Sequence, residues 1–132
     1  MLAVLYVEIT GTMQFYYQKP LLANIRLNFP HVIQFDIDNH SDALLISYAT
    51  KLLEEASQVL VIMEAGEGKT HTLLSFFENL IKHQHKCRVL YNGTNAVTER
   101  YINLLEDNHL NKQIPIEEAQ EVIQKFFQTA GI

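Results

Sequence analysis

The stretch that most constrains the fold is Val59–Thr72, in which an apolar run passes through a glycine loop into a helical pattern. Val59–Met63 is five apolar residues in a row, which is typical of a strand buried on both faces of a sheet. A loop with two glycines follows over Glu64–Gly68, and the apolar residues take helical spacing from Leu73 onward. Open α/β sheets usually place a binding site at such a strand–loop–helix junction. The stretch therefore predicts an α/β fold and locates a site without naming its chemistry.

Strand and helix patterns alternate through the rest of the chain, over residues 31–130. Val32–Ile37 and Arg88–Tyr91 have strand character, and Asn111–Ile116 predicts a short edge strand because Pro115 cannot donate a ladder hydrogen bond. Ser41 is a candidate N-cap for the helix between the first two strands of this part. Seven residues of that helix keep helical spacing and are expected to face the core: Leu44, Leu45, Tyr48, Ala49, Leu52, Leu53 and Ala56. We predict a single three-layer α/β domain over 1–132, with helices on both faces of a largely parallel or mixed sheet.

Residues 1–30 allow more than one arrangement. Leu2–Ile9 predicts a strand with one wholly apolar face, and the alternation over Met13–Gln18 allows a hairpin with it. Pro20 suits the first turn of a short helix. Three aromatic residues here either cover the core or form a homodimer contact: Tyr16, Tyr17 and Phe29.

Composition limits the classes of partner. The 132 residues suit one domain, and a net charge of −5 disfavours binding to a nucleic-acid backbone. The apolar N-terminal run is too short to span a membrane. The single cysteine, Cys87, cannot form an internal disulfide and stands where a strand should begin, so we expect a buried thiol. A cytoplasmic protein with no nucleic-acid or membrane partner is the expectation.

The glycine loop is a candidate phosphate site. Backbone N–H groups and a helix N-terminus would hold a phosphate, with Lys69 neutralising its charge and Thr70 binding Mg²⁺. The loop resembles that of the ParA/MinD-type ATPases, although the first glycine of the common phosphate-loop pattern would fall on Met63. Glu64 and Glu67 add two negative charges that oppose a polyphosphate. Nucleotide or phosphate binding is therefore an alternative to our leading hypothesis.

The end of the Val32–Ile37 strand offers a second alternative. Asp36 and Asp38 are two residues apart, with His40 following, and such carboxylates can share a divalent cation. The pair resembles the first motif of haloacid-dehalogenase-type phosphatases, in which Asp36 would be the nucleophile and Asp38 the acid/base. Alternatively, Asp38, Asn39 and Ser41 solvate a turn and cap a helix. The six histidines lack zinc-site spacing, and no metal or cofactor is expected.

A broader resemblance covers residues 32–127. The order of elements, together with Arg88–Gly93, Tyr101–Leu105 and Ile114–Ala119, resembles the STAS domain of anti-sigma-factor antagonists and sulfate-transporter tails. The resemblance implies a STAS-like or flavodoxin-like fold and a regulatory, non-enzymatic role. The family's phosphorylatable serine is absent, and the nearest candidate phosphoacceptors are Thr70 and Thr72. Our leading hypothesis is a module that binds another protein through Glu64, Gly66, Gly68, Lys69, Thr70 and Thr72.

Overall fold

A computed structural model describes residues 1–11 and 20–129 of the protein, with the backbone alone for Pro20, Ile116 and Glu117. Five strands alternate with five helices in this part of the chain. The elements in chain order are β1 (Leu2–Ile9), α1 (Pro20–Asn28), β2 (Ile33–Asp38), α2 (Ala43–Glu55), β3 (Gln58–Ala65), α3 (Leu74–Lys82), β4 (Cys87–Gly93), α4 (Ala96–Ile102), β5 (Leu110–Lys112) and α5 (Ile116–Thr129). Single 3₁₀ turns cover His71–Leu73, Gln84–Lys86 and Asp107–His109.

The strands form one parallel sheet in the order β2-β1-β3-β4-β5. The chain leaves β1 for the edge strand β2, crosses back over β1 to β3 and then continues outward to β5. This is the doubly wound order of flavodoxin-like folds, and it confirms the predicted α/β class. The predicted hairpin over Met13–Gln18, with Tyr16 and Tyr17, lies outside the described residues.

Helices cover both faces of the sheet, as predicted. On one face α2, α3 and α4 bury a cluster that includes Phe76, Phe77 and Tyr91 against alternate residues of the strands. On the other face α1 and α5 bury a smaller cluster that includes Ile25 and Phe127. Strands enclosed on both faces need continuous apolar runs, which explains the sequences of β1 and β3.

The predicted core stripe of α2 is wrong in part. Leu44, Leu45 and Tyr48 are 78%, 43% and 49% exposed, whereas Ile46 is buried together with Ala49, Leu52 and Leu53. Seven apolar positions span too much of a helix circumference to contact one sheet, so those on the flank remain in solvent.

Two predicted element ends also differ. Asp42 rather than Ser41 caps α2, because its side chain accepts the Leu45 N–H at 3.0 Å while the Ser41 hydroxyl accepts from the Asp38 N–H. β5 ends at Lys112, and Pro115 instead directly precedes α5, where a residue without an N–H is well tolerated. Cys87 is buried as expected. Over residues 1–11 and 20–129, no helix combines the length and apolarity needed to cross a membrane.

Candidate functional site

The carboxyl ends of β1, β2, β3 and β4 meet at one edge of the parallel sheet. The loops that leave them are Thr10–Gly11, Asn39–Ser41, Gly66–Thr70 and Thr94–Asn95. The strand order reverses at β1, since the chain passes from it to β2 on one side and β3 lies on the other. Doubly wound folds bind ligands in the crevice at this reversal.

Asn39 joins the loops that follow β1 and β3. Its side chain is almost fully buried, and its Oδ1 accepts the Thr10 N–H at 3.0 Å. Its Nδ2 donates to the carbonyl oxygens of Thr10 and Lys69, both at 2.9 Å. One amide side chain therefore fixes the glycine loop against β1, with both donors and the acceptor in use.

Asn95 performs the corresponding role from the β4 side. Its Nδ2 donates to the carbonyl oxygens of Gly66 and Gly68 at 3.1 and 3.2 Å. Its Oδ1 accepts from the Thr98 N–H and hydroxyl, which makes it the N-cap of α4. Neither bridging role was predicted from the sequence. The sequence feature that could have indicated these roles is an asparagine shortly after a strand end, because a side chain at that position can reach the neighbouring loops.

Close approach of the backbone requires glycine at position 68 and leaves little room at position 66, and neither residue has a positive φ. A Cβ on Gly68 would lie 2.6 Å from the Thr10 carbonyl oxygen and 2.9 Å from Nδ2 of Asn39. One on Gly66 would lie 3.3 Å from the Ile9 carbonyl oxygen, which accepts the Gly66 N–H. The loop thus packs directly on the end of β1.

The remaining predicted loop residues differ in exposure. The side chains of Glu64, Glu67 and Lys69 are exposed, whereas Thr70 is only 5% exposed. Thr72 is partly buried, and its hydroxyl donates to the Asn39 carbonyl oxygen at 3.0 Å. Of the two candidate phosphoacceptors, Thr72 is the more accessible.

Comparisons of the chain with family models, curated proteins and solved structures find no match. Functional proposals for this protein therefore depend on the geometry of the site.

Asp38 and His40 take part in the turn after β2, and Asp36 is an exposed residue of that strand. The Asp38 carboxylate accepts the His40 N–H at 2.7 Å, as in an Asx turn, and His40 Nε2 lies 3.2 Å from the Thr10 carbonyl oxygen. In the described part of the chain, no three His, Cys, Asp or Glu side chains are grouped to hold a metal ion.

A row of acidic residues, whose juxtaposition was not predicted from the sequence, lies beside the site. Asp38, Glu8 and Glu64 are register partners on β2, β1 and β3, and all three face the α1/α5 side of the sheet. Burial, and then the hydrogen bond with Glu64, raises the pKa of the Tyr6 hydroxyl well above its usual range. The Glu64 carboxylate is therefore engaged with Tyr6.

Proposed function

We propose that the protein is a non-enzymatic regulatory module, of the kind that the STAS resemblance implies, and that it binds another protein. The observation that carries the proposal is the cluster of exposed apolar side chains on α2. Leu44, Leu45 and Tyr48 lie together in its first two turns, and Phe35 of β2 contacts the Tyr48 ring at a centroid distance of 4.7 Å. Contiguous exposed apolar groups of this kind are typical of protein-binding surfaces.

The glycine loop lies near the amino end of α2, because Asn39, which shortly precedes that helix, hydrogen-bonds to Lys69 and Thr72. A groove of about 370 Å³ runs along the flank of α2 that faces α3, and its lining includes Ala43 and Thr72. We name the combination of Leu44, Leu45, Tyr48 and residues 67–72 the α2–loop surface.

The partner that fits the α2–loop surface carries an apolar segment bordered by basic residues. Asp42 and Glu67 are exposed at its rim, and the chain as a whole has a net charge of −5. Complementary charge would steer association and make it sensitive to salt.

The test is affinity capture from a lysate of the source organism, with the full chain as bait and Leu44→Asp as the variant. Leu27→Asp is a matched control, because Leu27 is 80% exposed but lies on α1, on the opposite face. We expect a basic protein that the native chain and Leu27→Asp retain and Leu44→Asp loses. Equal retention by all three baits, or no specific partner, contradicts the proposal. Gly68 is unsuitable for substitution, since any side chain there collides with the Thr10 carbonyl.

Phosphate binding by the glycine loop is the second candidate, and a specific observation favours it. The carbonyl groups of Gly66, Gly68 and Lys69 are directed at the two buried asparagines. Because each peptide is trans, the N–H groups of the residues that follow (Glu67, Lys69 and Thr70) point the opposite way. None of these three N–H groups has a hydrogen-bond partner within the chain as far as it is described. Outward N–H groups beside a lysine can hold an anion.

Calorimetric titration with ATP and Mg²⁺, and separately with inorganic phosphate, tests this candidate. We expect saturable binding that Lys69→Ala abolishes and Lys82→Ala, on the exposed last turn of α3, preserves. The absence of binding by the native chain would remove the candidate.

A further inference from the structure

A recess of about 240 Å³ lies between α5 and the strands β4 and β5, away from the α2–loop surface. Arg88 is the second residue of β4 and Lys125 lies in the C-terminal half of α5, so the recess is near the amino ends of the strands. The glycine loop is at the opposite edge of the sheet. The recess is lined by Arg88, Asn111, Val122, Lys125, Phe126 and Thr129.

Arg88 is an unexpected residue for its position. It shares the α1/α5 face of β4 with Leu90, and its register partner on β3 is Leu60, both of which are buried in the apolar cluster. Strands enclosed by helices normally carry apolar residues at such positions. A charged group there loses solvation, and departures from the local apolar pattern tend to occur at functional sites.

The guanidinium of Arg88 is held in place but not neutralised. Its Nη1 donates to Oδ1 of Asn111 at 3.2 Å, and this neutral amide is its one hydrogen-bond partner in the described chain. Lys125 is exposed, and no carboxylate lies within 4 Å of either cation among the described residues. Two positive charges that have no carboxylate within 4 Å in the described part of the chain thus line one recess of a protein whose net charge is −5.

The rest of the lining is apolar. Val122 and Phe126 pack against the buried cluster and also form a wall of the recess, and the Phe126 ring contacts Phe127 at a centroid distance of 5.2 Å. An apolar wall beside a few directed polar groups is the usual composition of a small-molecule site. The volume is slightly below the roughly 300–1,000 Å³ that is usual for drug-sized ligands, so the ligand is small.

We propose that this recess binds a small organic anion, in which a carboxylate or phosphate group is attached to a ring or short apolar chain. The anionic group contacts Arg88 and Lys125, and the apolar part lies against Val122 and Phe126. The site is independent of the α2–loop surface, so the failure of either proposal leaves the other unaffected.

The test uses the isotope-labelled full chain and three probes of similar size: benzoate, phenyl phosphate and neutral benzamide. Titrations are followed by amide chemical shifts, with Arg88→Gln and Lys125→Gln as variants and Lys51→Gln on α2 as the matched control. We expect saturable binding of at least one anion, with shifts centred on β4, β5 and α5. Loss of the charged hydrogen bonds in Arg88→Gln should weaken this binding by about tenfold or more.

Lys125→Gln should weaken binding severalfold, and because Lys125 is exposed this variant is expected to fold. Lys51→Gln should bind as the native chain does. The proposal is overturned if neither anion saturates, if benzamide binds equally well, or if a folded Arg88→Gln variant retains full affinity.

Discussion

At the scale of single residues, a few buried polar groups and glycines determine the shape of the candidate site. Asn39 and Asn95 together hold three carbonyl groups of the glycine loop, and both are at least nine-tenths buried. A buried amide that loses its partners leaves several backbone groups without hydrogen bonds, which costs more than one bond contributes.

Replacing Asn39 with alanine should therefore lower the free energy of unfolding by about 2–3 kcal/mol. Asn39→Asp should be at least as harmful, because a carboxylate presents oxygen to the carbonyls of Thr10 and Lys69 where the native Nδ2 donates. Urea denaturation measures the loss, and hydrogen exchange should show faster exchange in residues 66–70. Unchanged exchange in both variants would contradict the role given to Asn39.

Gly93 is the position at which the backbone conformation requires glycine. Its φ is +149°, and a Cβ would lie 1.9 Å from the Ala65 carbonyl oxygen. Gly93→Ala should destabilise the fold by about 3 kcal/mol or more, whereas Gly66→Ala, with its nearest contact at 3.3 Å, should cost much less. Urea midpoints of the two variants check this order, and equal midpoints would contradict it.

Cys87 should be unreactive in the folded protein. Burial raises the pKa of its thiol to about 12, and the thiolate is the reactive form. We expect reaction with a disulfide reagent at pH 8 to be at least 100-fold slower than in the urea-unfolded chain, since both thiolate fraction and access are reduced. Comparable rates in the two states would show that the thiol is accessible.

At the scale of elements, α2 shows why its exposed leucines were predicted to be buried. When apolar residues occupy more than one face of a helix, their spacing does not show which face is buried. That face is decided by how the helix packs on the sheet. The apolar residues around α4 behave in the same way, since Val97 is 37% exposed and Leu104, just after the helix, is 62% exposed. The buried residues of α3 and α5 form narrower stripes.

A pair of substitutions tests which face of α2 is buried. Leu44→Ala should change stability by less than about 0.5 kcal/mol, because the side chain is 78% exposed. Leu53→Ala removes a fully buried side chain and should cost about 2–5 kcal/mol. The difference between their urea midpoints is the measurement, and similar losses would reverse the assigned faces.

At the scale of the whole molecule, the alternation of apolar runs and helical patterns was enough to predict the α/β class and helices on both faces. The order of the strands was not predictable, because parallel crossovers leave no mark on the sequences that they join. The roles of Asn39 and Asn95 depend on loops far apart in the chain, and they were missed for the same reason. Glu8 follows an apolar run, and the local sequence gives no sign of its register partners Asp38 and Glu64.

Stability of the whole fold should fall at alkaline pH. The pKa values of Tyr6, Cys87 and Tyr91 are raised in the folded state, mainly by burial. Their contribution is complete below the unfolded-state values, near 9 for the thiol and 10 for the phenols, and declines as the pH rises above them. Urea midpoints between pH 7 and 11 should fall above pH 9, and Tyr6→Phe should reduce the slope above pH 10. An identical slope in Tyr6→Phe would exclude its part in the effect.

The central position of β1 has a consequence during synthesis of the protein on the ribosome. β1 precedes both of its neighbours along the chain, and β3 does not begin until Gln58. A ribosome adding about 5–20 residues per second needs roughly 2–10 s to pass from Ile9 to that residue. Throughout this interval β1, which is almost wholly apolar, has no β3 to pair with. Chaperones can bind its apolar side chains during that time. The nascent polypeptide, more than the finished domain, is the form most exposed to aggregation.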